Sequence, residues 1–184
     1  IPYTLTKWKS RVCSKCELFT DKRTGFVPVG NIVKSGGIQA IIAYYEKLGP
    51  SYMAALEDML VFDAVIADTD RHFGNFGFLL DSETNTLKGP APLFDHGNSL
   101  FNFASSAEMK SEEEFLAFAN TQTPVNYADF FAMAERFLKE RHRQGLRRLL
   151  NFKLKRHPRY NLPPRRLEFV EKAVRQRAVK LLEL

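Results

Sequence analysis

Three oxygen-bearing side chains stand at spacings that suit phosphate chemistry. Asp70 and Asn75 are five positions apart, and Asp95 follows twenty positions later, directly before His96 and Gly97. Phosphoryl transfer uses one carboxylate to orient the attacking hydroxyl and further oxygens to hold Mg²⁺ against the phosphates. Because Mg²⁺ keeps several of its waters, one or two carboxylates with an amide oxygen suffice. These residue types therefore fit metal-assisted phosphoryl transfer.

The segment between these residues predicts a β-hairpin. Residues 76–80 and 87–94 have strand character, and the turn-forming residues 81–86 separate them. A hairpin returns the chain, so the loop before its first strand and the loop after its second can share one end. Protein kinases arrange Asp-x-x-x-x-Asn, a hairpin and Asp-x-Gly in this order. We therefore expect Asp70, Asn75 and Asp95 to converge.

The two loops resemble a known kinase family. The string DTDRHFGNFG at 68–77, followed by APLFD at 91–95, is similar to the catalytic core of HipA-like serine/threonine kinases. That family shows Asn-x-Asp-x-His-x-x-Asn and, downstream, Ala-Pro-x-x-Asp. Asp68 stands here in place of the family's first Asn. The match covers residues 55–100 most densely, and its first string is also similar to phosphoinositide kinases, which share the wider fold.

The resemblance implies an activity and roles for four residues. It implies ATP- and Mg²⁺-dependent phosphoryl transfer to Ser or Thr of a protein substrate. Asp70 would act as the catalytic base-like carboxylate, and His72 would orient its loop. Asn75 and Asp95 would hold Mg²⁺ and through it the ATP. HipA-like proteins often work with an antitoxin, so a toxin–antitoxin partner chain is a further expectation.

The predicted fold is α+β and mostly helical, with residues 1–184 as one domain. The resemblance implies the C-terminal lobe of a protein-kinase-like fold, with a small β-hairpin at the active site. Residues 1–33 would form a strand- and turn-rich entry, 34–100 the catalytic core and 101–184 a helical part. No Gly-x-Gly-x-x-Gly precedes Asp70. We therefore expect the nucleotide-covering N-terminal lobe to be absent or on a partner chain, which would leave the isolated chain inactive.

Local patterns predict the remaining elements. Ser51 is the expected N-cap of a largely buried second helix, and Ser111 with Glu114 forms a capping-box pattern. The predicted helices span residues 38–48, 51–67, 127–138, 144–152 and 165–184. The predicted early strands span residues 3–5, 17–20 and 26–29.

The charge distribution leaves a second class of function open. Residues 136–184 hold 16 Lys and Arg against four Glu, while the whole chain has a net charge of +6. Such a basic region could bind nucleic acid, an acidic partner or anionic lipid, although a solvated helix face is the favoured interpretation. The alternatives to a protein kinase are therefore a non-catalytic, kinase-shaped interaction module and a lipid kinase. Any nucleic-acid contact would be indirect.

Metal binding by other residues is a weaker alternative. A metallohydrolase-like site could use the polar residues of both loops, namely Asp68, Asp70, His72, Asp95 and His96. Cys13 and Cys16 form half of a zinc pattern, but no second pair follows, and two unbonded thiols are the favoured interpretation. Two cysteines and no apolar run of about 18 residues predict a cytoplasmic protein without membrane contact.

Overall fold

The computed structural model describes residues 1–184 and contains five strands and seven helices. The strands are β1 (Thr4–Trp8), β2 (Arg11–Lys15), β3 (Thr24–Pro28), β4 (Gly77–Asp81) and β5 (Leu87–Pro90). The helices are α1 (Val29–Ile32), α2 (Gly37–Leu48), α3 (Pro50–Ile66), α4 (Glu112–Asn120), α5 (Phe130–Phe137), α6 (Glu140–Leu149) and α7 (Pro164–Glu183). None of these helices combines the length and the apolar character that crossing a membrane requires.

The predicted hairpin is present and forms part of a larger sheet. Strands β4 and β5 pair antiparallel, and β3 pairs antiparallel with the other edge of β4. Directly after β3, the backbone N–H of Val29 donates to the Phe76 carbonyl at 2.9 Å, and that of Gly30 donates to the Phe73 carbonyl at 3.0 Å. The third strand therefore also holds the loop that precedes the hairpin.

The first strands differ from the prediction. Residues 17–20 form no strand, and β1 and β2 instead make a separate hairpin before them. Its turn consists of Lys9 and Ser10, both with positive φ angles, of 45° and 66°. Such a turn is usually built from Gly or Asn, so the sequence carries no recognisable turn signal at this point.

The starts of three helices also differ from the prediction. α3 begins at Pro50 after Gly49, so Ser51 lies inside the helix and is not its cap. The predicted start at residue 127 moves to Phe130, because the Asp129 carboxylate caps α5 by accepting from Ala132 N–H at 2.7 Å. α6 begins four residues before the predicted 144. The capping box is confirmed in part, since Ser111 Oγ accepts from Glu114 N–H at 3.1 Å.

α3 lies between two groups of buried apolar side chains. Leu56, Met59 and Leu60 pack with α2 and the hairpin, whereas Val61, Ala64 and Val65 pack with α5 and α7. The predicted apolar face of α7 is confirmed, because its members are all buried: Leu167, and in the second group Val170, Val174, Ala178 and Leu181. α3 thus connects both halves of the core and carries the chain into the loop that contains Asp70.

The close approach of β3 to β4 gives a stability prediction. A Cβ atom on Gly77 would lie 2.2 Å from the Val27 carbonyl oxygen and 2.8 Å from the Val29 nitrogen. We expect Gly77→Ala to lower the free energy of unfolding by about 1–3 kcal/mol, because the strands must separate to admit the methyl group. Urea denaturation followed by circular dichroism measures this change.

A matched variant controls for the effect of adding a methyl group. Gly145 lies inside α6, and a Cβ atom there would meet nothing within 4 Å. Gly145→Ala should stabilise the protein by roughly 0.5–1 kcal/mol, because alanine loses less backbone entropy in a helix. Equal effects of the two substitutions would contradict the close β3–β4 approach.

Candidate active site

The loop before the hairpin and the loop after it lie against each other. Thr69 donates from both its backbone N–H and its hydroxyl to the carbonyl oxygen of Asn98, each at 3.1 Å. The Asn98 side-chain amide in turn donates to Asp70 Oδ2 at 2.8 Å. The residues that follow Asp95 therefore hold the loop that contains Asp70, as the return of the hairpin leads one to expect.

A buried arginine connects these loops to helix α3. Arg71 is 2% exposed and makes a bidentate pair with Asp63 of α3, with Nε and Nη2 each 3.0 Å from a carboxylate oxygen. Its Nη2 also donates to Asp68 Oδ2 at 2.8 Å. The two carboxylates are themselves fully buried. One guanidinium therefore joins the last turn of α3 to the start of the loop.

The same guanidinium joins the two sequence motifs. Arg71 Nη1 donates to the Phe94 carbonyl at 2.8 Å and, more weakly, to the Asn75 carbonyl at 3.4 Å. The Phe94 carbonyl belongs to the peptide bond that leads into Asp95. The backbones of Asn75 and Asp95 are consequently brought to one nitrogen atom.

The structure places the four predicted residues in different environments. Asp70 is half-buried and keeps Oδ1 without a hydrogen bond, while Asn75 is 5% exposed and donates from Nδ2 to the Asp70 carbonyl at 3.1 Å. The Oδ1 atom of Asn75 accepts no hydrogen bond. Asp95 is exposed, and its carboxylate is unpaired. His72 is exposed too, and its Nδ1 accepts from Gly74 N–H at 3.1 Å.

The loop before the hairpin is buried in part, although its polarity indicates a position outside the core. Asp68, Arg71 and Asn75 are all at most 5% exposed. A charge can be buried when a partner and further hydrogen bonds compensate for the water it loses. The Asp63–Arg71–Asp68 group supplies this compensation, so the loop packs as part of the interior.

Burial and ion pairing shift the pKa values of Asp63 and Arg71. Desolvation raises the pKa of Asp63 to about 6, against the lowering effect of the hydrogen bonds from Arg71. Burial opposes the charge of Arg71 as well, but hydrogen bonds to Asp63 and the charges of both carboxylates raise its pKa. The guanidinium therefore stays charged and faces two acidic groups.

Two sets of residues can be compared as sites for a cation. Asp63, Asp68 and His96 have ligand atoms within 4.8 Å of one another. Arg71 already occupies that space, however, because its Nη2 lies 2.8 Å from both Asp68 Oδ2 and His96 Nδ1. A metal ion would have to displace the guanidinium, so this set does not fit one.

The second set is Asn75 and Asp95, whose free side-chain oxygens no positively charged group of the protein occupies. The Asp95 carboxylate is exposed and unpaired, and Asn75 Oδ1 is free. Asp95 also has a positive φ angle of 55°, a left-handed conformation that Asp adopts more readily than most L-residues do. A carboxylate with an amide oxygen is the ligand type that Mg²⁺ prefers.

Three residues help to build the site although the two motifs assign no role to them: Asp63, Arg71 and Asn98. One signal in the sequence points to the first, because Asp63 interrupts the apolar run 59–67 of a buried helix. A charged residue at such a position requires a partner of opposite charge. Arg71 is the nearest Arg or Lys along the chain from Asp63. Asn98 carries no comparable signal.

The basic C-terminal region holds the protein's own elements together. Lys139 and Arg141 pair with the buried Glu57 of α3 at 2.6 and 2.7 Å. Arg143 donates to the Leu182 carbonyl at 3.0 Å. Arg166 donates to three backbone carbonyls after the loop that contains Asp95, at 2.9 to 3.1 Å. Much of the positive charge therefore has an internal structural role.

The two cysteines carry free thiols and belong to no group of metal-ligating side chains in residues 1–184. Cys13 lies in β2, and its Sγ contacts the Arg11 carbonyl at 3.6 Å.

The buried ion-pair group gives a second stability prediction. Arg71→Met would leave Asp63 and Asp68 buried without a positive charge, and we expect a loss of about 3–5 kcal/mol in the free energy of unfolding. The triple variant Asp63→Asn, Asp68→Asn, Arg71→Met removes all three charges and should recover part of that loss. Thermal and urea denaturation measure both variants.

Arg23→Met serves as the control, since Arg23 faces Glu83 at 4.0 Å and both side chains are highly exposed. Its unfolding midpoint should stay at that of the unmodified protein. A similar midpoint for Arg71→Met would show that the buried group does not stabilise the fold.

Comparison with known structures identifies the architecture. The chain is similar to the crystal structure of a Helicobacter pylori proinflammatory kinase, CtkA, with a TM-score of 0.70. The alignment covers 98% of this chain and 71% of that chain, at 16% sequence identity. No protein-family model matches the sequence, and no curated protein matches it. At this identity the similarity shows the fold alone: the chain has a kinase-like fold.

Proposed function

We propose that this protein transfers the γ-phosphoryl group of ATP to a Ser or Thr hydroxyl of a protein substrate, with Mg²⁺ as cofactor. One observation carries the proposal. Asp70, Asn75 and Asp95 stand on two loops that share the Arg71 guanidinium, and each keeps a side-chain oxygen without a partner. The kinase-like fold and the kinase named in the structural comparison support it.

Asp70 is proposed to orient the acceptor hydroxyl. The Asn98 amide holds Asp70 Oδ2 at 2.8 Å, which fixes the plane of the carboxylate and leaves Oδ1 to accept the hydroxyl proton. The Asp70 backbone N–H also donates to Asp68 Oδ1 at 3.2 Å. A base that is held in one orientation needs no reorganisation when the hydroxyl attacks.

Asn75 and Asp95 are the proposed Mg²⁺ ligands. When bound, the ion neutralises charge on the phosphates of ATP. The burial of Asn75 restricts its side chain, and its bond to the Asp70 carbonyl sets which amide atom remains free. His72 is proposed to orient the loop through its contact with Gly74 N–H.

The proposed lobe assignment implies a further component. We propose that this chain supplies the C-terminal, catalytic-loop lobe, and that a nucleotide-covering lobe completes the site from another segment or a partner chain. Protein kinases cover the phosphates with a Gly-rich loop and pair them with a strand lysine. The strands in residues 1–28 carry no such glycine pattern.

The catalytic assignment is tested by Asp70→Asn in the full-length protein. Removing the base should lower the rate of phosphate transfer from γ-labelled ATP to a Ser/Thr-containing acceptor protein by about 10²–10⁴-fold. The fold should be retained, because Asp70 is not part of the buried ion-pair group. Glu113→Gln is the control, since Glu113 is an exposed acid on α4. Turnover at the control's level in Asp70→Asn would refute the assignment.

The metal assignment is tested by Asp95→Asn. This change removes the exposed carboxylate and should raise the Mg²⁺ concentration for half-maximal transfer about tenfold or more, since an ionic ligand contributes more than roughly 1.4 kcal/mol. Saturating Mg²⁺ should recover part of the rate. An unchanged Mg²⁺ dependence beside the Glu113→Gln control would exclude Asp95 as a ligand.

A further inference from the structure

A small cavity with a positively charged lining lies between α4, α5 and α7. It has a volume of about 190 Å³, and its polar lining consists of Asn120, Gln176, Arg177 and Lys180. This set contains two cations, two amides and no acidic residue. The cavity is separate from the loops that carry Asp70 and Asp95, because none of their residues lines it.

Arg177 is a buried charge without a salt-bridge partner. Its residue is 3% exposed, and the charge of Asp129 acts on it only from beyond salt-bridge distance. Nε donates to the Ala64 carbonyl at 2.6 Å and Nη1 to the Ala119 carbonyl at 3.4 Å, but Nη2 is buried and has no partner. A buried donor without an acceptor destabilises a fold, and a buried unpaired charge does so more strongly.

A second cation lies at the same aromatic ring. The Lys180 Nζ atom is 3.9 Å from the centroid of the Phe131 ring, and the Arg177 Cζ atom is 4.6 Å from it. The faces of Phe130 and Phe131 attract these cations, but the two like charges repel each other, and an anion near both would offset that repulsion. Burial also lowers the pKa of Arg177 to about 10, against the opposing effect of the Asp129 charge.

We propose that this cavity binds a free tetrahedral oxyanion of the phosphate class. Two cations favour a dianion over a monocarboxylate, and the amides of Asn120 and Gln176 can donate to its remaining oxygens. The volume is below the roughly 300–1,000 Å³ of pockets that hold drug-sized ligands, which excludes a nucleotide and suits an inorganic anion.

The position of the cavity connects it to the candidate active site through α3. Arg177 Nε holds the Ala64 carbonyl in the last turn of that helix, and α3 ends at Ile66, whose C-cap residue Ala67 directly precedes Asp68. An anion that fixes Arg177 would therefore stabilise the helix end from which the loop with Asp70 starts.

Titration calorimetry with inorganic phosphate tests the proposal on the full-length protein. The buffer contains EDTA and no nucleotide, so that phosphate cannot bind through Mg²⁺ at Asp95 and the result is independent of the proposed kinase activity. We expect saturable binding at one site, with sulfate competing and acetate, at equal ionic strength, competing far less. Absence of saturable binding, or equal competition by acetate, would overturn the proposal.

Lys180→Gln is the primary variant, because Lys180 is exposed and its removal leaves the packing of α7 intact. Its phosphate affinity should fall about tenfold or more, as expected for the loss of one charge-assisted hydrogen bond. Lys153→Gln is the matched control, an exposed lysine in the same basic region that does not line the cavity. Equal affinities in the two variants would refute the assignment, and unfolding midpoints verify that both are folded.

Discussion

The buried pairing of Arg71 with Asp63 and Asp68 is the interaction on which the geometry of the site depends. Removing three charged groups from water is costly, and only close, multiple hydrogen bonds offset that cost. Arg71 contacts α3, the loop before the hairpin and the segment before Asp95. Its hydrogen bonds can therefore all form only when these three parts have the relative positions seen here. The ion pairs therefore hold the loop in one conformation.

Helix α3 transmits this constraint to the rest of the molecule. It is apolar on nearly all sides and lies between both groups of core side chains, so its position is set by packing from two directions. Its C-cap residue, Ala67, has a left-handed conformation with φ of 50°, which turns the chain directly into Asp68. Asp63 is thus a fixed point within the core, against which the loops are oriented through Arg71.

The sequence predicts what depends on local patterns and misses what depends on tertiary pairing. Periodicity predicts the hairpin of β4 and β5 and the apolar face of α7. The spacing of the two motifs predicts that Asp70, Asn75 and Asp95 stand on the loops before and after that hairpin. The turn at Lys9 and Ser10 is missed because residues without glycine's freedom adopt positive φ there. The burial of the first loop is missed because polarity, assessed residue by residue, contains no information about a partner such as Asp63. Asn98 is missed for the same reason.

The basic C-terminal region shows why composition alone is a poor guide to binding partners. The excess of Lys and Arg suggests a polyanion-binding surface, yet Lys139, Arg141, Arg143 and Arg166 contact acidic side chains or backbone carbonyls of this chain. Such side chains keep their charge but are no longer free to follow a phosphate backbone. What matters for an anion is a cation whose donors are unsatisfied and partly desolvated, because there the gain on binding is largest. Arg177 meets this condition among the buried side chains, which is why a single small anion fits this helical region better than a nucleic acid does.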